Sequence, residues 1–126
     1  MAAVPVAAAE QPQGMPLLDA EKLDVFRVAV EFQAIAAQIG TKASAALRDQ
    51  FERASVSIVL NIAEGAGRRS KRDKARFYSI ARGSAMECGG VLAILSARQI
   101  AECEAARKLL VRVVQMLSAL ERRMGP

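Results

Sequence analysis

The chain has 126 residues and a formal net charge of +5, and 52% of its residues are hydrophobic while only 4% are aromatic. It contains no histidine, which excludes His-dependent catalytic triads and zinc sites that need a histidine ligand. Its two cysteines, Cys88 and Cys103, form no CxxC pair. An even count permits one disulfide, but we expect two reduced thiols that are buried as small hydrophobic groups.

Residues 1–19 are predicted to be a disordered tail, and residues 20–126 a single helical domain. A long stretch without proline favours long helices, and the prolines lie in the tail or at the last position: Pro5, Pro12, Pro16 and Pro126. The tail lacks the basic n-region of a signal peptide, and no apolar run approaches the roughly 18 residues that span a bilayer. We therefore expect a cytoplasmic protein that does not associate with a membrane.

The first helix is predicted from about Ala20 to Ile39, with Asp19 as a partial N-terminal cap and Gly40 as its stop. Apolar residues recur along it at spacings of three and four, which is typical of a bundle helix. These inward positions are Val25, Val28, Phe32, Ile35 and Ile39.

The second helix is predicted to begin near Thr41 or Ser44 and to end at Gly65. Its core face carries five residues, namely Leu47, Phe51, Ala54, Ile58 and Ile62. Val56, Val59 and Leu60 lie on other faces, so this helix is apolar nearly all round and should be buried nearly all round. We expect a second protein surface to cover it, which predicts an oligomer; the alternative is a monomer whose N-terminal tail folds over that face.

The third helix is predicted over about Lys71–Ala97, after a glycine hinge in which Gly65 ends the second helix in the left-handed conformation. Ser70 is a suitable N-cap, with Asp73 three residues later. One face is expected to be inward, comprising Phe77, Ile80, Ala81, Ser84, Cys88, Val91 and Leu95. The pair Gly89-Gly90 either bends this helix or lets another backbone approach it.

The last helix is predicted from about Ala101 to Met124. Its inward seam consists of Ala106, Leu110, Val113, Leu117, Leu120 and Met124. Four helices with short links and no strand-like alternation predict an all-α fold, an antiparallel up-down-up-down four-helix bundle.

The positive charge is concentrated at the start of the third helix. Seven basic residues between positions 68 and 82 face one acid, so this window carries +6 while the whole chain carries +5. The predicted nucleic-acid-binding residues are Arg68, Arg69, Lys71, Arg72, Lys74, Arg76, Tyr78 and Arg82. On a helical wheel the charges flank the inward face, and Tyr78 is expected on an exposed flank where it could stack a base. The alternative is a basic face that is merely solvated.

Asn61 and Glu64 are interpreted as a clamp on the hinge, because buried polar groups are usually satisfied structurally. For Glu64 the candidate partners are Arg68, the amides at the start of the third helix, or Arg53 of a neighbouring subunit. Nothing in the sequence would activate a serine near them, so no catalytic residue, metal or cofactor is predicted.

Four segments together resemble a known family: Arg53–Ile58, Asn61–Gly65, Gly67-Arg68, and Ile80–Ser84 with Glu87. This is the family of bacterial four-helix-bundle proteins named for intervening sequences in 23S ribosomal RNA, which shares its fold with the accessory variability determinant of diversity-generating retroelements. The resemblance implies a homopentameric, barrel-like ring without known enzymatic activity. It also implies structural roles for the matching residues, which are Arg53, Asn61, Glu64, Gly65, Gly67, Arg68, Gly83 and Ser84.

Two functions follow as hypotheses. The first is a non-enzymatic, ring-like homo-oligomer that binds structured RNA or RNA/DNA through phosphates with low sequence specificity. The alternative is a protein-interaction scaffold, an accessory subunit for a polymerase or reverse transcriptase, which would use the same arginines.

Overall fold

The computed structural model describes residues 14–126, which form four α-helices and contain no strand. The helices are α1 (Asp24–Gly40), α2 (Ala45–Gly67), α3 (Lys71–Ala97) and α4 (Glu104–Met124). Both α1 and α3 pack against α2 and α4, which produces a four-helix bundle around one core. The all-α prediction is thereby confirmed, whereas most of the predicted disordered tail lies outside the described residues.

The first helix begins later than expected, because a short 3-10 turn over Asp19–Lys22 precedes it. Leu23 lies between the two in an extended conformation, with φ −97° and ψ 128°, and packs against the core. Asp19 is not the N-cap of a long helix. The turn is closed instead by the Leu18 amide, which donates to the Glu21 carboxylate at 2.7 Å.

The core contains most of the residues that periodicity placed there. Phe32 and Phe51 meet edge to face with ring centroids 6.2 Å apart, and Ile58, Leu95 and Leu117 are fully buried. Edge-to-face geometry suits the electron distribution of aromatic rings. The inward seam of α4 is buried from Ala106 to Leu120, as its spacing predicts.

Two predictions differ from the structure, one on the core face of α3 and one on the start of α4. In α3, Tyr78 is buried instead of Phe77 and Ile80, and 44% of Ile80 is exposed. The helix α4 begins at Glu104 rather than Ala101, because the preceding loop contains Gln99 in the left-handed region at φ 55°. At Gly89-Gly90, α3 continues as one helix to Ala97.

Both cysteines are free and buried, Cys88 within α3 and Cys103 immediately before α4, as expected for thiols that act as small hydrophobic groups. Burial raises the pKa of the Cys88 thiol from 9.0 to about 12, and the nearby Glu87 carboxylate adds to this shift. The pKa of Cys103 is also raised, first by burial and then by Glu102.

Alkaline pH is expected to destabilise the fold through Cys88. Because the folded chain holds this proton more tightly than the unfolded chain, the stabilisation is complete below about pH 9 and is lost between about pH 9 and 12. Thermal unfolding from about pH 8 to about pH 11 should show a shallower loss of stability for Cys88→Ala than for wild type. Burial also raises the pKa of Tyr78, but that contribution is common to both proteins. Parallel pH profiles would contradict the role of Cys88.

Among the described helices, α3 is the one that is long and apolar enough to cross a membrane by length and composition. Only 33% of that apolar stretch is buried within the bundle. A core helix of a soluble protein passes the same test, so this is weak evidence for a membrane segment. Three large apolar residues of α3, Ile80, Met86 and Ile94, are exposed in the described part of the chain.

Candidate nucleic-acid interface

The connection between α2 and α3 is short, and hydrogen bonds form at the helix ends on both sides of it. The helix α2 continues through Gly65 and ends at Gly67, two residues later than predicted. Neither glycine adopts a positive φ, so the predicted left-handed hinge is wrong; the chain turns through Arg68 in an extended conformation. Ser70 then caps α3 as expected, since its hydroxyl accepts from the Asp73 amide at 3.1 Å.

Gly65 has a packing role that explains the later end of α2. A Cβ placed on this residue would lie 2.9 Å from Cε1 of Tyr78 and 3.0 Å from Cβ of Phe77. The missing side chain therefore lets α3 approach α2 closely and admits the Tyr78 ring to the core, where it is 2% exposed. The prediction that Tyr78 lies on an exposed flank is wrong.

Lys74 joins the two helices. Its Nζ donates to the Ala66 carbonyl at 2.8 Å and to the Gly65 carbonyl at 3.4 Å. The last carbonyls of a helix have no partner within the helix, and a lysine is a suitable donor to them. Lys74 thus stabilises the end of α2, and its ammonium group is committed within the chain.

Two predicted arginines form ion pairs. Arg82 donates through Nε to Glu121 of α4 at 2.8 Å, in a half-buried position. Arg68 pairs with Glu64 at 2.8 Å, so one of the partners considered for this carboxylate is confirmed within the chain. Glu64 is 54% exposed, so the pair holds the turn without a buried charge. Its contribution to stability is small, at about 0.5 kcal/mol, because solvent screens it.

Two guanidinium groups lie over the ring of Phe77. The Cζ atom of Arg76 is 4.5 Å from the ring centroid and that of Arg68 is 4.8 Å from it. These distances allow cation–π attraction. The half-buried ring therefore holds both arginine side chains beside the turn between α2 and α3.

The remaining basic residues point into solvent. Arg69, Lys71 and Arg72 are exposed, and none makes an ion pair or side-chain hydrogen bond with another described residue. Together with Arg76 they form what we call the basic strip (Arg69, Lys71, Arg72 and Arg76). Its side chains can contact phosphate without breaking an ion pair or a hydrogen bond of the described chain.

Sequence reasoning missed a further source of charge at the end of α4. Arg122 and Arg123 occupy its last turn and are exposed. The positive charge of Arg123 lowers the pKa of Tyr78 against the larger effect of burial, so Arg123 lies near the start of α3. The antiparallel arrangement predicted from the sequence places the end of α4 beside the start of α3, and this is the signal that could have found these arginines.

The other predicted structural residues lie along the seam between α2 and α3. Ser57 and Ser84 share a hydrogen bond of 2.8 Å across it, and the Asn61 side-chain amide donates to the Ser57 hydroxyl at 3.0 Å. Asn61 therefore binds within its own helix and does not clamp the hinge. Arg53 is exposed on the surface, 4.0 Å from Asp49.

Three glycines next to this seam have no close neighbour among the described residues. A Cβ at Gly67, Gly83 or Gly90 would meet nothing within 4 Å. Leu60, one turn from Ser57, is 61% exposed, and Ile80, one turn from Ser84, is also exposed. Exposed apolar and small residues thus occur together on the outer surface beside the seam; we call these residues the seam face (Leu60, Ile80, Gly83 and Gly90).

A cleft of about 1310 Å³ lies elsewhere, at the connection between α3 and α4. Its walls include Met86, Leu92 and Ile100, with Lys42 and Arg107 also lining it. No group of three or more potential metal ligands occurs within residues 14–126. Among the described residues, the basic strip is therefore the strongest candidate for a functional site.

One known protein family matches nearly the whole bundle. The profile of one family, described as 23S rRNA-intervening sequence protein, matches residues 21–122. A search of the curated proteins finds no match. The matched region extends from the 3-10 turn to the last turn of α4 and includes the basic strip and the seam face. The chain belongs to the family of 23S rRNA-intervening sequence proteins.

Proposed function

We propose that this protein is a non-enzymatic, oligomeric nucleic-acid-binding protein that recognises phosphates of structured RNA or RNA/DNA. The observation that carries the proposal is the basic strip, because its four cations are exposed and form no ion pair or side-chain hydrogen bond within residues 14–126, while Lys74 and Arg82 are used within the chain. Membership of a family named for an insertion in ribosomal RNA is consistent with association with RNA.

Binding through the basic strip would be electrostatic. Arginine matches phosphate oxygens with two parallel donors, and each neutralised phosphate releases condensed counterions. Such contacts do not read base identity, so sequence specificity would be low and affinity would fall steeply with salt. Cations in the first turn of a helix are mildly unfavourable, which argues that Lys71 and Arg72 serve a ligand rather than the helix.

The same proposal includes a homopentamer built from antiparallel up-down-up-down bundles, as the family resemblance implies. The seam face supports a partner surface, since its exposed apolar side chains and bare glycines suit close approach of another helix. The apolar stretch of α3 also supports a partner surface, because only one-third of it is buried within the bundle. A ring would repeat the basic strip around its circumference and strengthen binding by multivalency.

No enzymatic step is proposed. The chain lacks the commonest general base, because it has no histidine. The hydroxyls of Ser57 and Ser84 bond to each other, and the Asn61 amide donates to that of Ser57, an arrangement without a general base that could take a proton from either serine.

The test is RNA binding by the triple variant Arg69→Gln, Lys71→Gln and Arg72→Gln, measured across salt concentrations. Affinity for a structured RNA should fall at least about tenfold near 0.1 M salt, and the slope of log K against log salt should fall by about 2. The cause is the loss of up to three phosphate contacts per subunit.

A matched control removes the same charge elsewhere, through Arg98→Gln, Arg107→Gln and Arg112→Gln. These arginines are exposed and lie away from the turn, so the control should bind within about twofold of wild type at the same salt. Equal losses in the two triple variants would show that net charge, and not the basic strip, determines binding.

A further inference from the structure

Arg76 differs from the other members of the basic strip because one side of its guanidinium group is supported. Its Cζ atom lies 4.5 Å from the centroid of Phe77, at stacking distance. Phe77 itself is held where α2 and α3 approach, with its Cβ facing Gly65. The Arg76 plane is therefore positioned by the fold rather than by a ligand.

The second guanidinium group over the same ring is less available. Arg68 donates to the Glu64 carboxylate at 2.8 Å, and the pair stabilises the turn. Arg76 is exposed and has no ion pair or side-chain hydrogen bond within residues 14–126. It keeps its five N–H donors and its exposed side for a ligand.

We infer that Arg76 stacks an unpaired nucleobase on the side of its guanidinium group that is turned away from Phe77. The inference rests on the proposed function and specifies its ligand as single-stranded RNA or a bulge, rather than a continuous duplex.

The chemistry of the guanidinium group supports this assignment. It is planar, delocalised and weakly hydrated, so it stacks on aromatic planes, which a lysine ammonium does not do. Unpaired bases are commonly held on arginine planes as well as on aromatic rings. Because Phe77 already restricts the Arg76 side chain, less conformational entropy is lost on binding. Tyr78, the aromatic residue expected to serve this purpose, is buried and cannot do so.

Arg72 completes the site as a phosphate contact. It lies four residues before Arg76, so the two side chains are neighbours on the surface of α3. Arg72 is not among the arginines that contact the Phe77 ring. One arginine would thus hold the backbone of the strand, and the next would hold a base.

The experiment compares Arg76→Lys with Arg72→Lys by fluorescence anisotropy, using the full-length protein. Both changes keep the charge and lie on the exposed surface, and circular dichroism would verify that both variants are folded. Three probes of equal length are used: an oligoadenylate, the same backbone with abasic sites, and an RNA duplex.

Arg76→Lys should weaken binding of the oligoadenylate about tenfold, the size expected for losing one stacked base. It should leave the abasic strand and the duplex within about twofold of wild type, whereas Arg72→Lys, which alters a phosphate contact, should change the affinity for all three probes by the same factor. Equal effects of the two variants, or an equal loss with the abasic strand, would overturn stacking while leaving phosphate binding intact. If wild type binds none of the probes, both the stacking and the proposed function fail.

Discussion

Replacing Gly65 by valine is expected to destabilise the bundle by about 2–3 kcal/mol. The added Cβ would lie 2.9 Å from the Tyr78 ring and 3.0 Å from Cβ of Phe77, closer than packed carbon atoms approach. Relief would require α2 and α3 to separate or Tyr78 to leave the core. Urea unfolding at a fixed protein concentration measures the change, and a fixed concentration matters because subunit association also affects stability.

Gly67→Ala is the matched control. Gly67 also lies in the last turn of α2, but a Cβ there meets nothing within 4 Å and the residue has no positive φ. Alanine should therefore be neutral or stabilise the helix by about 0.5 kcal/mol. If both variants unfold at the same urea concentration, the close approach at Gly65 does not constrain the fold.

The double variant Leu60→Glu and Ile80→Glu is expected to dissociate the proposed ring. Both residues are exposed on the seam face, so the single bundle tolerates the change, whereas two carboxylates per subunit in an apolar interface would carry a large desolvation cost. Light scattering should shift from a multiple of the subunit mass to a value near 13.5 kDa.

Val111→Glu provides the comparison for this change. Val111 is an exposed apolar residue of α4, 39% accessible, and lies outside the seam face. This variant should retain the mass of the wild-type assembly. A double variant that keeps the wild-type mass, or a wild type that is itself monomeric, would contradict the proposed interface.

The bundle could be predicted well from sequence where local chemistry determines it. The start of α3 follows from Ser70 and Asp73, because a serine cap with a nearby acid is a local signal. The seam of α4 follows from its regular spacing of apolar residues. Glycine is more ambiguous, since Gly65 suits both the end of a helix and close packing, and only the position of Tyr78 distinguishes these roles.

The candidate site could be predicted only in part. The high density of basic residues at the start of α3 is visible in the sequence, but which of them form contacts within the chain is not. Arg82 is used by Glu121, which is 39 residues away, and Lys74 by the carbonyls of the preceding helix. Such partners depend on how α3 packs against its neighbours. The prediction that Phe77 is buried and Tyr78 exposed is wrong for the same reason. These adjacent residues both lie near the edge of the inward face, so helix packing determines which of them is buried.

Because both native thiols are buried, a thiol introduced on the surface of this bundle could be labelled selectively. The thiolate is the form that reacts with alkylating agents, and burial keeps both Cys88 and Cys103 protonated at neutral pH. These are the two cysteines of the chain, so a thiol added at exposed Ser79 on α3 would react with a maleimide dye well ahead of them. A fluorophore could thus be attached beside the basic strip without first removing a native cysteine.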